Sequence, residues 1–251
     1  LAFFAEVAAT NADLIRGARV LEIGSYDVNG SVRRIFGEAG DYVGIDLHEG
    51  PGVDRVGFGH EVADPDGSFD VAISGECFEH DPHWAETLAN MARLVRPGGL
   101  VAFSCASRGR PEHGTSRTDR TLSPGTQSVG LDYYRNLTEA DVSALPLSDW
   151  FDDHAFWYVD TNFDLYFVGV RAAEPEGADA SSPRAQLPGG HAVERIGSLM
   201  TGPHRAARLP LKWLSRTSMS EERYQDVIRP YWQTLLRLLE GKVSRSPRTE
   251  A

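Results

Sequence analysis

Two carboxylates stand at the ends of successive apolar runs. Glu22 lies in VLEIGSYDVNGSVR (Val20 to Arg33), and Asp46 closes YVGID. Gly24 follows Glu22 by two positions, Ser25 adjoins it, and a small polar loop then runs to Gly30, where a helical pattern begins. An apolar run, a glycine turn and a helix start make the unit whose crevice holds nucleotide-like ligands in open α/β sheets. Acids at neighbouring strand tips suit a ligand with an amine at one end and ribose hydroxyls at the other.

Further chemistry-bearing residues follow the fourth apolar run. His80, in ECFEHDPHW, is positioned to accept a proton or, equally, to fix the loop before the next helix. His83 reads as exposed in the first helical turn. His113, in RGRPEHGTSR, sits on a polar segment from which it could reach a ligand, although solvated loop histidines are the commoner case. Arg108, Arg110, Arg117, Arg120 and Arg135, with Tyr133 and Tyr134, make this segment locally basic and aromatic. That suits an anionic or sugar-like ligand, or simply solvated charge. The acids Glu76, Glu79 and Asp81 show no spacing that fits an octahedral ion, so no metal is expected.

The elements that must position these groups can be read from periodicity. Residues 3–16 have helical spacing. Arg19–Ile23, Tyr42–Asp46, Val53–Gly57, 69–74 and 100–107 read as strands, with helices at Gly30 to Phe36 and from Asp81-Pro82 to Pro97-Gly98-Gly99. The helix after the second strand is cut short by Gly50, Pro51 and Gly52. Strict alternation implies a parallel, right-handed, doubly wound sheet. Residues 108–135 lack periodicity and read as a lid or binding loop. Residues 137–145 read as a helix capped by Thr138 with Asp141. Residues 154–160 and 164–172 form an aromatic-rich antiparallel hairpin at the sheet edge. The composition of 173–190 suits a flexible linker. Helices follow at about 191–200, 204–216 and 220–243, and the last residues read as disordered.

At 251 residues, the chain can bury one α/β domain with an appendage. Its 36 acidic against 25 basic residues leave a net charge of -11, which disfavours a phosphate-backbone partner. No window is apolar enough to span a bilayer, and the amino-terminal stretch reads as an amphipathic helix rather than a signal peptide. The two cysteines, Cys77 and Cys105, suit buried free thiols in a reducing cytoplasm.

The chain resembles class I S-adenosylmethionine-dependent methyltransferases, chiefly those acting on small molecules, over roughly residues 19–171. The carriers are VLEIGSYDVNG, YVGID, GSFDVAIS and the run FEHDPHWAETLANMARLVRPGG leading into LVAFS, in order and at the right spacing. The resemblance implies a mostly parallel seven-stranded sheet with an antiparallel edge hairpin in a Rossmann-like domain over 1–172; composition and apolar spacing add the linker over 173–190 and a helical extension over 191–251. The resemblance also implies S-adenosyl-L-methionine as cofactor. Glu22 would lie near the methionine amino group, with Gly24 and Ser25 letting the backbone approach and the loop reaching Gly30. Asp46 would accept from the ribose, and Leu47 would pack on adenine. Ser74, Gly75 and Glu76 would line the reacting methyl. The loop lacks the family's alternate glycines and must run longer. Phe58 stands where a polar adenine contact is common, so its ring, or the backbone of Gly59 and His60, would take that part. His80 and His113 are the candidate bases.

The expected reaction is methyl transfer to oxygen or nitrogen of a small-molecule or glycan acceptor, in the cytoplasm, with no nucleic acid or membrane partner. The apolar seam within 209–239 offers a face for a homodimer. Two alternatives stay open on the residues alone: an NAD(P)-dependent oxidoreductase with a divergent Rossmann loop, and a non-catalytic S-adenosylmethionine-binding scaffold. Asp46 fits each of them.

Overall fold

The computed structural model describes residues 1–28, 30–173, 182–198, 203–217 and 219–243. Seven strands form one sheet: β1 (Arg19–Ile23), β2 (Asp41–Asp46), β3 (Arg55–Val56), β4 (Phe69–Gly75), β5 (Val95–Ala106), β6 (Phe151–Val159) and β7 (Asp164–Arg171). Their order is β3-β2-β1-β4-β5-β7-β6. The first five pair in parallel, and β7 runs antiparallel between β5 and β6. The order reverses at β1 and β4, so the carboxyl ends of β1, β2 and β4 open onto one crevice.

Alternation along the strands feeds two cores. Leu21 and Ile23 of β1 face a core with Val43, Ile45, Leu88 and Met91. Val20 faces the other, with Phe3, Phe4, Val7 and Ile73. The first of these is closed by α3 (Trp84–Leu94), whose Trp84, Leu88 and Met91 share one buried stripe. The second is closed by α1 (Ala2–Thr10) and the single turn α2 (Ala12–Ile15).

Several elements differ from the periodicity. The helix expected from Gly30 is only a 3₁₀ turn over Val32–Arg34, capped by Ser31, whose hydroxyl accepts from Arg33 N. Gly30 has φ +120°, which no helix accommodates. Helix α3 begins at Trp84, not at Asp81. Asp81 stays extended and takes His83 N at 2.7 Å and Thr87 Oγ1 at 2.6 Å. Strand β5 starts five residues early, at Val95, because Pro97-Gly98-Gly99 is absorbed into an irregular pairing with β4. A Cβ on Gly99 would stand 2.5 Å from Asp70 O, so the two backbones meet closely there.

Residues 108–135 hold a 3₁₀ turn at Arg120–Leu122 and the short α4 (Pro124–Ser128). Next comes α5 (Glu139–Ser143), with the reciprocal Thr138–Asp141 capping box, and then α6 (Leu147–Trp150). The linker expectation fails over 182–189. Ala185 N donates to Gly98 O at 2.8 Å, and Asn11 exchanges two hydrogen bonds with the Gln186 backbone. The rest of that stretch, 174–181, and the tail from 244 lie outside the described residues.

Three helices follow: α7 (Gly190–Ser198), α8 (Pro203–Ser215) and α9 (Glu221–Val243). Part of their apolar seam is used within the chain. Leu211, Tyr224 and Ile228 bury against Phe163 at the β6–β7 turn. Tyr224 donates to Gly109 O at 2.9 Å, and Arg108 Nε to Ser215 O at 2.7 Å, tying α8 and α9 to the start of the 108–135 segment. Trp213 and Leu209 remain 71% and 59% exposed.

Candidate active site

One cavity of about 730 Å³ opens at the carboxyl ends of β1, β2 and β4. Its wall includes Glu22, Gly24, Ser25, Gly30, Asp46, Leu47, Phe58, Gly59, Gly75, Glu76, His80 and His113. Of the residues assigned from sequence to the cofactor or to catalysis, Ser74 is not on this wall. It is fully buried behind it.

At one end stands Glu22, 3% exposed, with Tyr42 donating its hydroxyl to Oε2 at 2.7 Å. Burial pushes the Glu22 carboxyl up to about 7, against the pull of the Tyr42 hydrogen bond and the Arg33 charge. The turn after it is sharp. Gly24 and Ser25 both donate to Ile45 O, and Gly24 has φ +79°. A Cβ there would lie 2.5 Å from Cys77 Cβ, so only glycine lets β1 and the loop after β4 approach this closely. Ser25 Oγ is buried without a partner.

Asp46, on the neighbouring strand tip, accepts from Tyr26 N at 3.1 Å and Leu47 N at 2.7 Å. Burial raises its carboxyl despite these bonds. Gly125 of α4 is pressed against it, because a Cβ on Gly125 would collide with Asp46 Oδ1. The 108–135 segment therefore forms a wall of the cavity. Phe58 lines it beside His60, with ring centroids 5.3 Å apart. Gly59 is packed between Ile23 and Thr87.

The other end carries charge that the motifs did not reveal. Glu76 adopts φ +52°, a left-handed conformation uncommon outside glycine, and its Oε1 accepts from Ser104 Oγ at 2.8 Å. Arg110 reaches Glu76 Oε2 at 3.6 Å, Asp164 Oδ1 at 2.6 Å and Asn162 O at 3.0 Å. Burial and the Glu76 charge lift Asp164 to about 8, with Arg110 opposing. This network joins β4, β7 and the 108–135 segment. Glu76 was expected at the site from the sequence, but the only signal for its partner Arg110 was a place in a basic stretch, and Asp164 had none. Three of the other four arginines of that stretch are tied down: Arg108 bonds the α8 end, Arg117 pairs with Asp226, and Arg135 with Asp141, while Arg120 is exposed.

His80 and His113 meet edge to face at 5.0 Å, both against the Tyr134 ring. Burial drops His80 to about 4, and burial with the Arg110 charge drops His113 to about 3. Both are neutral imidazoles at physiological pH and weak general bases, since an efficient base titrates near the working pH. Beneath them lies Glu79, fully buried, with neither carboxylate oxygen hydrogen-bonded.

Comparison with known proteins bears on the family and the fold. The model of a family described as a methyltransferase domain matches residues 2–127, half of the chain. The ubiquinone biosynthesis O-methyltransferase of Aromatoleum aromaticum is 38% identical over 110 residues, covering 38% of this chain and 46% of that protein. The phthiotriol/phenolphthiotriol dimycocerosates methyltransferase 1 of Mycobacterium ulcerans is 33% identical over 110 residues, covering 38% and 40%. The chain thus spans under half the length of the curated relatives it matches. Among solved structures, the Haemonchus contortus phosphoethanolamine N-methyltransferase 2 in complex with S-adenosyl-L-methionine superposes with TM-score 0.51 at 14% identity, over 68% of this chain and 52% of that one. That likeness is one of fold. With the family match over the strands that build the cavity, it establishes that the chain belongs to the class I S-adenosylmethionine-dependent methyltransferases.

Proposed function

We propose that the chain transfers a methyl group from S-adenosyl-L-methionine to an oxygen or nitrogen of a small-molecule or glycan acceptor. The observation that carries this is the pair of carboxylates, buried Glu22 and half-buried Asp46, on neighbouring strand tips of one cavity. The residues suit that cofactor. Glu22 is a hydrogen-bonded acid ready to ionise against an ammonium group, Asp46 is an acceptor for ribose hydroxyls, and Ser25 Oγ is a buried hydroxyl with bonding capacity unused. The bound cofactor supplies an activated methyl on a positively charged sulfur.

The chain's own part is alignment and exclusion of water, worth several kcal/mol in a displacement that needs little acid–base help. Leu47 and Phe58 offer apolar surface for a base ring. Glu76 and Gly75 line the deeper side, where the Arg110–Asp164 network and Tyr166 offer polar contacts to an acceptor. The volume of about 730 Å³ sits within the range of roughly 300–1,000 Å³ typical of small-molecule pockets and leaves room for more than the cofactor. A small acceptor also agrees with the relative named for ubiquinone biosynthesis and with the net charge of -11. Among the described residues, no helix is long and apolar enough to cross a membrane.

Calorimetric titration with S-adenosylhomocysteine and, separately, with NAD tests the reading. Uptake of the first alone is expected. Uptake of NAD alone, or of neither, overturns it.

A further inference from the structure

The most unusual feature of the acceptor end is Glu79. It is fully buried, yet both of its carboxylate oxygens lack hydrogen-bond partners. A buried carboxyl with nothing to bond costs free energy and calls for a partner that the chain itself does not supply. His80, 5% exposed, likewise has a buried Nδ1 with no partner. His113 Nδ1 lies 3.1 Å from Pro111 O and donates to it, which leaves the Nε2 lone pair facing Glu79 Oε1 at 3.9 Å. A backbone carbonyl holding one imidazole nitrogen so that the other is free is the usual support of a metal-bound histidine.

We propose that Glu79, His80 and His113 form a binding site for one divalent first-row metal ion. One ligand atom from each of the three lies within 4.8 Å of the others. Bonds of about 2.0–2.2 Å place neighbouring ligand atoms roughly 3–3.6 Å apart, so the three must draw in by ~1 Å on binding. Two imidazoles and one carboxylate suit zinc, manganese or iron(II) better than magnesium or calcium. Both histidines line the cavity, so the remaining coordination positions face the bound molecule. Resting on the methyl-transfer reading, this makes an acceptor hydroxyl the favoured nucleophile. Ligated to the ion, its O–H bond breaks, the electron pair stays on oxygen and the proton passes to water. The spacing of the acids alone could not show the site, because its third ligand arrives from the 108–135 segment.

The test uses the whole chain stripped with chelator and dialysed against Mn²⁺ or Zn²⁺, with bound metal counted by elemental analysis and Mn²⁺ followed by electron paramagnetic resonance. One ion per chain is expected, with affinity at least tenfold weaker in Glu79→Gln and in His113→Ala. Glu79→Gln keeps the side-chain shape, and its thermal unfolding confirms that it folds. No uptake by the folded wild-type chain overturns the proposal, as does uptake undiminished in both variants. S-adenosylhomocysteine titrated into the same metal-free protein separates the two readings: its binding without metal uptake sinks the ion site alone.

Discussion

Tyr42 donates its phenolic proton to Glu22 Oε2 across 2.7 Å, so the acid on β1 is held by a side chain of β2. Burial nevertheless keeps Glu22 at about 7, above the ordinary 4.5. The folded state therefore binds this proton more tightly than the unfolded chain does. Its contribution to stability is present below the ordinary value and is lost as pH rises from about 4.5 to about 7. Glu22→Gln is expected to flatten that decline in denaturant unfolding measured across pH. Binding of an ammonium-bearing cofactor should ionise Glu22. S-adenosylhomocysteine affinity is then expected to rise with pH through about 7, with proton release detected by calorimetry in buffers of different ionisation enthalpy. Tyr42→Phe removes a bond that favours the charged form and should move that profile upward.

Asp46 serves both its own loop and the proposed ribose contact. Asp46→Ala should weaken S-adenosylhomocysteine binding by about 1–3 kcal/mol, roughly five- to 150-fold, because ribose hydroxyls would lose their acceptor. Calorimetry reads this directly. An unchanged dissociation constant would remove Asp46 from the site.

Gly24 is strained for any other residue on two counts, its φ of +79° and the 2.5 Å approach to Cys77 Cβ. Gly24→Ala is expected to cost about 2–4 kcal/mol in urea unfolding, combining a left-handed backbone with overpacking. Adding Cys77→Gly should return part of that loss, since it removes the overlapping Cβ but leaves the backbone angle at position 24. Full additivity of the two changes would contradict the packing described for this turn.

Arg110 balances Asp164 and Glu76. Removing it in Arg110→Ala leaves buried acid unpaired, and a loss of about 3 kcal/mol in urea unfolding is expected, the low end for a partly exposed cation. The double change Arg110→Met with Asp164→Asn should unfold later than the single one. A single variant as stable as wild type would mean that the network carries no stability.

How much was legible follows from the range of each interaction. Arg19–Ile23 and Asp41–Asp46 announce themselves through apolar runs ending near acids, and Thr138 with Asp141 caps its helix through neighbours three positions apart. The 3₁₀ turn after Gly30 and the docked stretch at Ala185 and Gln186 were misjudged for a common reason. Each depends on a backbone angle or a distant partner, Asn11 and Gly98 in the second case, that periodicity does not contain.

Sequence alone determined the doubly wound sheet and the two carboxylates at the tips of neighbouring strands β1 and β2, because apolar runs, glycine turns and strand-end acids are local properties of the chain. Tertiary structure decided the rest of the cavity. It buried Ser74 behind the wall, tied Arg110 to Asp164, and brought His113 against His80 and Glu79. These pairings join segments far apart in the chain, and their charge states come from desolvation, which exists only once the core has closed.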